Sequence, residues 1–122
     1  MAEYLILINE DESAYATAPP EVLQQVMDAH NRFAKQVEET GGSIVSGRAL
    51  QPTMTATSIR GDVVTDGPFA ETKEALGGYY LVEARDLDHA LEIGKLTPAR
   101  FGGVEVRPIM DTSGPMPGAE GA

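Results

Sequence analysis

Tyr79-Tyr80-Leu81-Val82-Glu83-Ala84 reads as a strand, and Asp86 with the run from 87 to about 96 reads as the helix that follows it. Aromatic and β-branched residues suit a pleated surface. Asp86 suits a helix N-cap, because its carboxylate can accept from the first free backbone N–H groups. Working outward, the same order occurs nearer the start of the chain. Tyr4-Leu5-Ile6-Leu7-Ile8 is a short apolar strand. An acidic loop over residues 9–13 follows it. A helix then starts near Pro20, where proline is tolerated and Glu21 suits the dipole, and stops at Gly41-Gly42.

Between these two units, residues 43–46 read as a strand, with Gly47 marking a bend. Residues 53–60 alternate and are threonine-rich, which suits a strand with one wet face. Gly61-Asp62 is a hairpin turn before Val63-Val64-Thr65, and Gly77-Gly78 leads into the strand at Tyr79. Pro98 and Gly102-Gly103 break the chain ahead of a last strand over 104–110. The order is strand, helix, two or three strands, strand, helix, strand. That is the ferredoxin-like split β-α-β pattern of an α+β protein, with an extra hairpin in the middle. Two helices cover one face of such a sheet and leave the other bare. Leu5, Leu7, Leu81 and Ile109 are apolar sheet residues, so two chains are expected to pack sheet to sheet as a homodimer. Residues 1–111 form one domain, and 112–122, rich in Gly, Pro and Ala, form a tail expected to be disordered.

Composition narrows the function classes. The 122 residues are 42% apolar and 23% charged, as in an ordinary globular domain. Nine Lys+Arg stand against nineteen Asp+Glu, a formal charge of −10. Nucleic acid and anionic membrane surfaces need clustered cations, so neither is an expected partner. Glu3, Glu10, Asp11, Glu12, Glu21, Asp28, Glu38 and Glu39 are opposed early in the chain only by Arg32 and Lys35. That end reads as negative surface. There is no cysteine, which removes disulfides, thiolate metal sites and cysteine nucleophiles. With two histidines, no metal site and no cofactor are expected. The opening apolar run is too short for a signal peptide or a span, so a cytoplasmic location is the expectation.

On the first helix Val22, Leu23, Val26, Met27, Phe33, Ala34 and Val37 share an arc of roughly 140°, and His30 lies near its middle. An imidazole on an apolar face needs a hydrogen-bond partner. It is either a core histidine satisfied by a backbone carbonyl or a general base tuned by burial or by an acid. On the second helix the inner face is read as Leu87, Ala90, Leu91 and Gly94, which turns His89 to solvent.

The densest cluster of chemistry is Asp66-Gly67-Pro68-Phe69-Ala70-Glu71-Thr72-Lys73-Glu74. Asp66 can hold the turn at Gly67-Pro68, Phe69 can plug the core, and Glu71, Lys73 and Glu74 can be a solvated run. Alternatively the loop presents functional groups from a rigid scaffold. This run, followed by Leu76-Gly77-Gly78-Tyr79-Tyr80, resembles the signature of the bacterial DGPF-domain proteins within the YCII-related group. Further matching pieces are Ala29-His30 with Phe33, Gly47 with Ala49-Leu50-Gln51-Pro52, Asp86-Leu87-Asp88 with Ala90-Leu91, and 104–108. The resemblance covers about residues 3–110.

The resemblance implies a ferredoxin-like chain in a dimeric α+β barrel. It implies a His–Asp pair in a cleft, with elimination from a muconolactone-like substrate in at least one type, and His30 matches the histidine. The aspartate is expected just before Pro98, where this chain has Thr97. Asp66 is then the candidate to orient His30. Arg48, Phe69, Glu71, Lys73 and Tyr79 are candidates to hold a small, anionic substrate, with Lys73 or Arg48 on a developing enolate. Tyr79 and Tyr80 alternate across the sheet, so one of them faces a cleft. The expected function is small-molecule binding near His30 with acid–base elimination or isomerisation. The alternative is a non-catalytic regulatory dimer, because some proteins resembling this one are encoded with or fused to extracytoplasmic-function sigma factors.

Overall fold

The computed structural model describes residues 1–113. The elements run β1 (Ala2–Asp11), α1 (Glu12–Thr17), α2 (Pro20–Glu39), β2 (Ser43–Ala49), a 3-10 turn at Thr53–Thr55, β3 (Thr57–Arg60), β4 (Val63–Asp66), β5 (Glu74–Ala84), α3 (Leu87–Leu96) and β6 (Gly102–Pro108). Four strands form one antiparallel sheet in the order β2-β5-β1-β6, and β3 pairs only with β4. This mixed α+β arrangement is compatible with the ferredoxin-like pattern, with β3–β4 as the additional hairpin. The expected disordered tail from Thr112 lies, beyond Ser113, outside the described residues.

Alternation along β1 decides which face is the core. Tyr4, Ile6, Ile8 and Glu10 are all buried, and the residues between them are partly open. Opposite them in register stand Val82 and Tyr80 of β5 and Val106 and Val104 of β6. α2 and α3 close over this face with Phe33, Val37, Ala90 and Ile93, completing the core. Leu5, Leu7, Tyr79 and Leu81 belong to the other face, which no helix among the described residues covers.

Only the C-terminal half of α2 is seated. Phe33 and Val37 are fully buried, whereas Leu23 and Met27, on the same apolar stripe, are 40% and 60% exposed. The N-terminal half stands away from the sheet, and the space beneath it is a cleft. Pro20 opens α2 at its first position and Gly41, with φ of 90°, ends it.

Several boundaries differ from those expected. β1 continues through the acidic segment to Asp11, which caps α1 by accepting from the Ser13 N–H at 3.0 Å. β2 runs through Gly47 without a break, and the expected strand over 53–60 begins as a 3-10 turn. β5 starts at Glu74, so Gly77-Gly78 lie within a strand, beside an irregularity in register between Ile8 and Asn9 of β1.

His89 is corrected outright. It is 2% exposed and sits in the core, not in solvent. The inner face of α3 is His89, Ala90, Ile93 and Gly94, while Leu87 and Leu91 are exposed. Both ring nitrogens are satisfied. Nδ1 accepts the Arg85 N–H at 3.0 Å, which leaves the proton on Nε2, 2.9 Å from Thr40 Oγ1. Thr40 Oγ1 donates in turn to the Val37 carbonyl at 2.6 Å. The chain thereby ties the end of α2 to the start of α3 with no orphaned polar group.

Candidate functional site

The cleft has a volume of about 520 Å³. Its floor comes from Ile8 and Glu10 of β1 and from Ala75, Gly77, Gly78 and Tyr80 of β5. Val26, Met27 and His30 of α2 form one wall, and residues 47–50 with Pro52 form another. Glu12 and Tyr15, at the start of and within α1, close the end. A smaller space of about 290 Å³ lies on the other side of Val26, His30 and Tyr15, against Pro98, Ala99 and Arg100.

His30 is oriented by Tyr80. Its Nδ1 lies 2.7 Å from the phenol oxygen, and the Tyr80 ring packs on Phe33 with centroids 4.8 Å apart. Tyr80 can lie there because position 47, its register partner, is glycine. A Cβ at Gly47 would come within 2.6 Å of the Tyr80 ring. Burial holds the imidazole below the ordinary histidine range, against an opposing pull from the Glu10 charge. Burial also pushes the Tyr80 phenol up, so it keeps its proton at neutral pH. Among the described residues the Nε2 of His30 has no hydrogen-bond partner.

Glu10 is the second polar centre. It is 8% exposed and accepts the Tyr15 hydroxyl at 2.8 Å and the Phe101 N–H at 3.1 Å. The Tyr15 ring meets Phe101 edge-on at 4.8 Å, which fixes the hydroxyl. Burial, then the bond to Glu10 and its charge, raise the Tyr15 phenol. Glu12 is held differently, accepting both the N–H and the hydroxyl of Thr53 at 2.8 and 2.7 Å.

Of the residues singled out from sequence, His30, Arg48 and Tyr79 border the cleft. Arg48 donates to the Gly47 carbonyl at 2.7 Å. Tyr80, rather than Tyr79, is the tyrosine whose side chain meets His30. Asp66, Phe69, Glu71 and Lys73 are not on the lining. Asp66 ends β4 in the separate hairpin, and its side chain makes no hydrogen bond with His30. The role of orienting the imidazole belongs to a phenol on the adjacent strand. Phe69 does not plug the core: it is exposed and lies under the Arg60 guanidinium, 4.8 Å from its ring centre. Thr97, at the expected aspartate position, is buried and donates to the Ile93 carbonyl at 2.9 Å. No group of three His, Asp or Glu side chains among the described residues could hold a metal ion. No helix among them is long and apolar enough to cross a membrane.

Glu10 and Tyr15 are site residues that sequence reasoning did not single out, and Tyr80 is the one of the two alternating tyrosines that meets His30. One signal was present for Glu10: continuing the two-residue period of Tyr4, Ile6 and Ile8 puts it on the covered face. The acidic neighbourhood of 9–13 obscured it.

Comparison with known proteins agrees with the residue-level resemblance. The model of the YCII-related domain matches residues 2–113. A protein of Rhizobium meliloti (strain 1021), which carries the name "Uncharacterized protein R00369", is 36% identical over 113 residues, covering 87% of this chain and 90% of that protein. A domain match spanning nearly all the described residues, with a full-length relative at this identity, places the chain in the YCII-related family.

Proposed function

We propose that this protein binds a small molecule in the cleft beneath α2 and that His30 performs acid–base chemistry on it. The observation that carries this reading is the state of the imidazole. One nitrogen is engaged by Tyr80, the other has no partner among the described residues, and an open cleft lies beside the ring. When Nδ1–H donates to the Tyr80 oxygen, Nε2 presents its lone pair as a base. Removing a proton alpha to a carbonyl puts that proton on Nε2 and the electron pair into an enolate. Return of the proton at another carbon isomerises the substrate, and loss of a β-substituent with its electron pair completes an elimination. Arg48 borders the cleft, but it is in register with Tyr79 of the uncovered face and bonded to the Gly47 carbonyl, so it is not assigned to the enolate oxygen. Ile8, Val26, Met27, Leu50 and Pro52 offer an apolar surface for the body of the molecule.

The test is proton exchange. A β,γ-unsaturated butenolide in D2O should lose its α-protons and isomerise faster with the protein than in buffer. His30→Gln should cut that rate by about a hundredfold or more. Equal rates for the two proteins, or no rate above buffer, would sink the reading.

The same reading includes a homodimer formed through the uncovered sheet face, closing into an α+β barrel. A second, non-catalytic reading rests on the β3–β4 hairpin. Met54, Ile59, Val63, Val64 and Phe69 are all exposed there, away from the cleft. Such a surface suits a protein partner, for example an extracytoplasmic-function sigma factor. Failure of an immobilised sigma factor of that class to retain the protein would count against it.

A further inference from the structure

The chemistry of Glu10 specifies what enters the cleft, and this step rests on the cleft being a ligand site. Glu10 is a carboxylate more than nine-tenths buried. Among the described residues no Lys, Arg or His nitrogen lies within 4.0 Å of it; the ion pair found at that range is Arg107 with Glu105, on the surface. Its partners are two neutral donors, the Tyr15 hydroxyl and the Phe101 N–H. The hydroxyl is shared between both oxygens and the N–H goes to Oε2, so Oε1 keeps acceptor capacity. A buried charge is costly unless a counter-charge and hydrogen bonds offset it. The hydrogen bonds are present, and among the described residues no cation is paired with it: Arg100 is near enough to act on the Tyr15 phenol, but its guanidinium is turned to Gln25 Oε1 at 2.9 Å. His30 does not supply it, because burial favours its neutral form. Arg48 does not either, because its guanidinium is exposed and bonded to the Gly47 carbonyl. Glu12 adds a second carboxylate to the same end of the cleft, with both oxygens already turned to Thr53.

We infer that the ligand carries the cation: a small molecule with an apolar body and an ammonium head, the head docking on Glu10 and the body lying along Ile8, Val26 and Met27. An anionic head would face two carboxylates. The expectation of an anionic substrate, drawn from Arg48 and Lys73, is thereby replaced, since Lys73 is not on the lining.

Three near-isosteric probes separate the possibilities: 2-phenylethylammonium, 2-phenylethanol and phenylacetate, each titrated into the 15N-labelled full chain. Amide shifts of Ile8, Gly47 and Gly78 report on the cleft. The ammonium compound should bind about tenfold or more tightly than the alcohol, in keeping with a charge-assisted bond, and phenylacetate weakest. Glu10→Gln keeps an acceptor for Tyr15 and Phe101, and should abolish the preference for the ammonium compound over the alcohol. If that variant does not fold, the wild-type ranking decides alone. An ammonium compound no better than the alcohol, or a preference that survives Glu10→Gln, overturns the inference while leaving the cleft as a ligand site. If none of the three moves the cleft resonances, the ligand-site reading falls and takes this one with it.

Discussion

His30 and His89 are the same side chain on two helices over one sheet, and their surroundings make them different groups. His89 has both nitrogens engaged and no space beside it. His30 has one nitrogen engaged and an open cleft beside the ring. Tyr80→Phe should separate orientation from packing: it keeps the ring against Phe33 and removes the hydroxyl. The expected cost is about 0.5–1.5 kcal/mol in denaturant melts, the worth of an ordinary hydrogen bond. Exchange activity should fall with it, because the imidazole loses the group that orients it. Charge on His30 is disfavoured by burial, so its folded pKa lies below the unfolded value. Above the unfolded value, near 6.5, both states are neutral and His30 carries no penalty. As pH falls through that value the unfolded chain takes the proton first, and stability is lost. Thermal melts from pH 8 to pH 5 should therefore show wild type losing more stability than His30→Gln. An equal loss in both would contradict the assigned direction.

At the scale of elements, the cleft exists because α2 is seated at one end only. Phe33 and Val37 anchor it, and Leu23 and Met27 overhang. Strand β2 contributes by what it lacks at position 47. Gly47→Ala places a methyl group 2.6 Å from the Tyr80 ring and 3.2 Å from the Tyr79 carbonyl oxygen. The ring must move, at an expected cost of about 1–3 kcal/mol for overpacking. The His30–Tyr80 bond should loosen, which the imidazole 15N shifts would report. Local signals in the sequence placed both ends of α2, the bounds of α3 after Asp86, and the turn at Gly61-Asp62, where φ is 61°. Each is governed by backbone chemistry within a few residues. The start of β5 was not legible, because Gly77-Gly78 is a local break signal that pairing with β1 overrides. The inner face of α3 was misassigned for a related reason. Weighting leucines inward ignores that Gly94 packs close to Val106 and that His89 finds Thr40 on another helix. Of the site, His30 was legible from its place on the wheel. Glu10 follows from the two-residue period of β1, whereas the choice between Tyr79 and Tyr80 depends on strand register, which no single segment encodes.

For the whole molecule, the uncovered sheet face is the surface on which the proposed dimer rests. Leu5, Leu7, Tyr79 and Leu81 lie there, with Arg48 in register with Tyr79. A sheet-to-sheet dimer would cover them, so light scattering should give twice the chain mass. Leu81→Arg should give a monomer by placing a charge at the centre of that face. A monomeric wild type would rule out the barrel and leave the cleft, which is on the opposite face, intact. His30 is an imidazole held toward its neutral form by burial and open to the cleft, while its counterpart His89 is sealed in the core. Diethyl pyrocarbonate, which acylates neutral accessible imidazole, tests this on the native protein with peptide mass mapping over time. His30 should be modified rapidly, and His89 should stay unmodified until the protein is unfolded. An unreactive His30, or a His89 that reacts as fast, would contradict it.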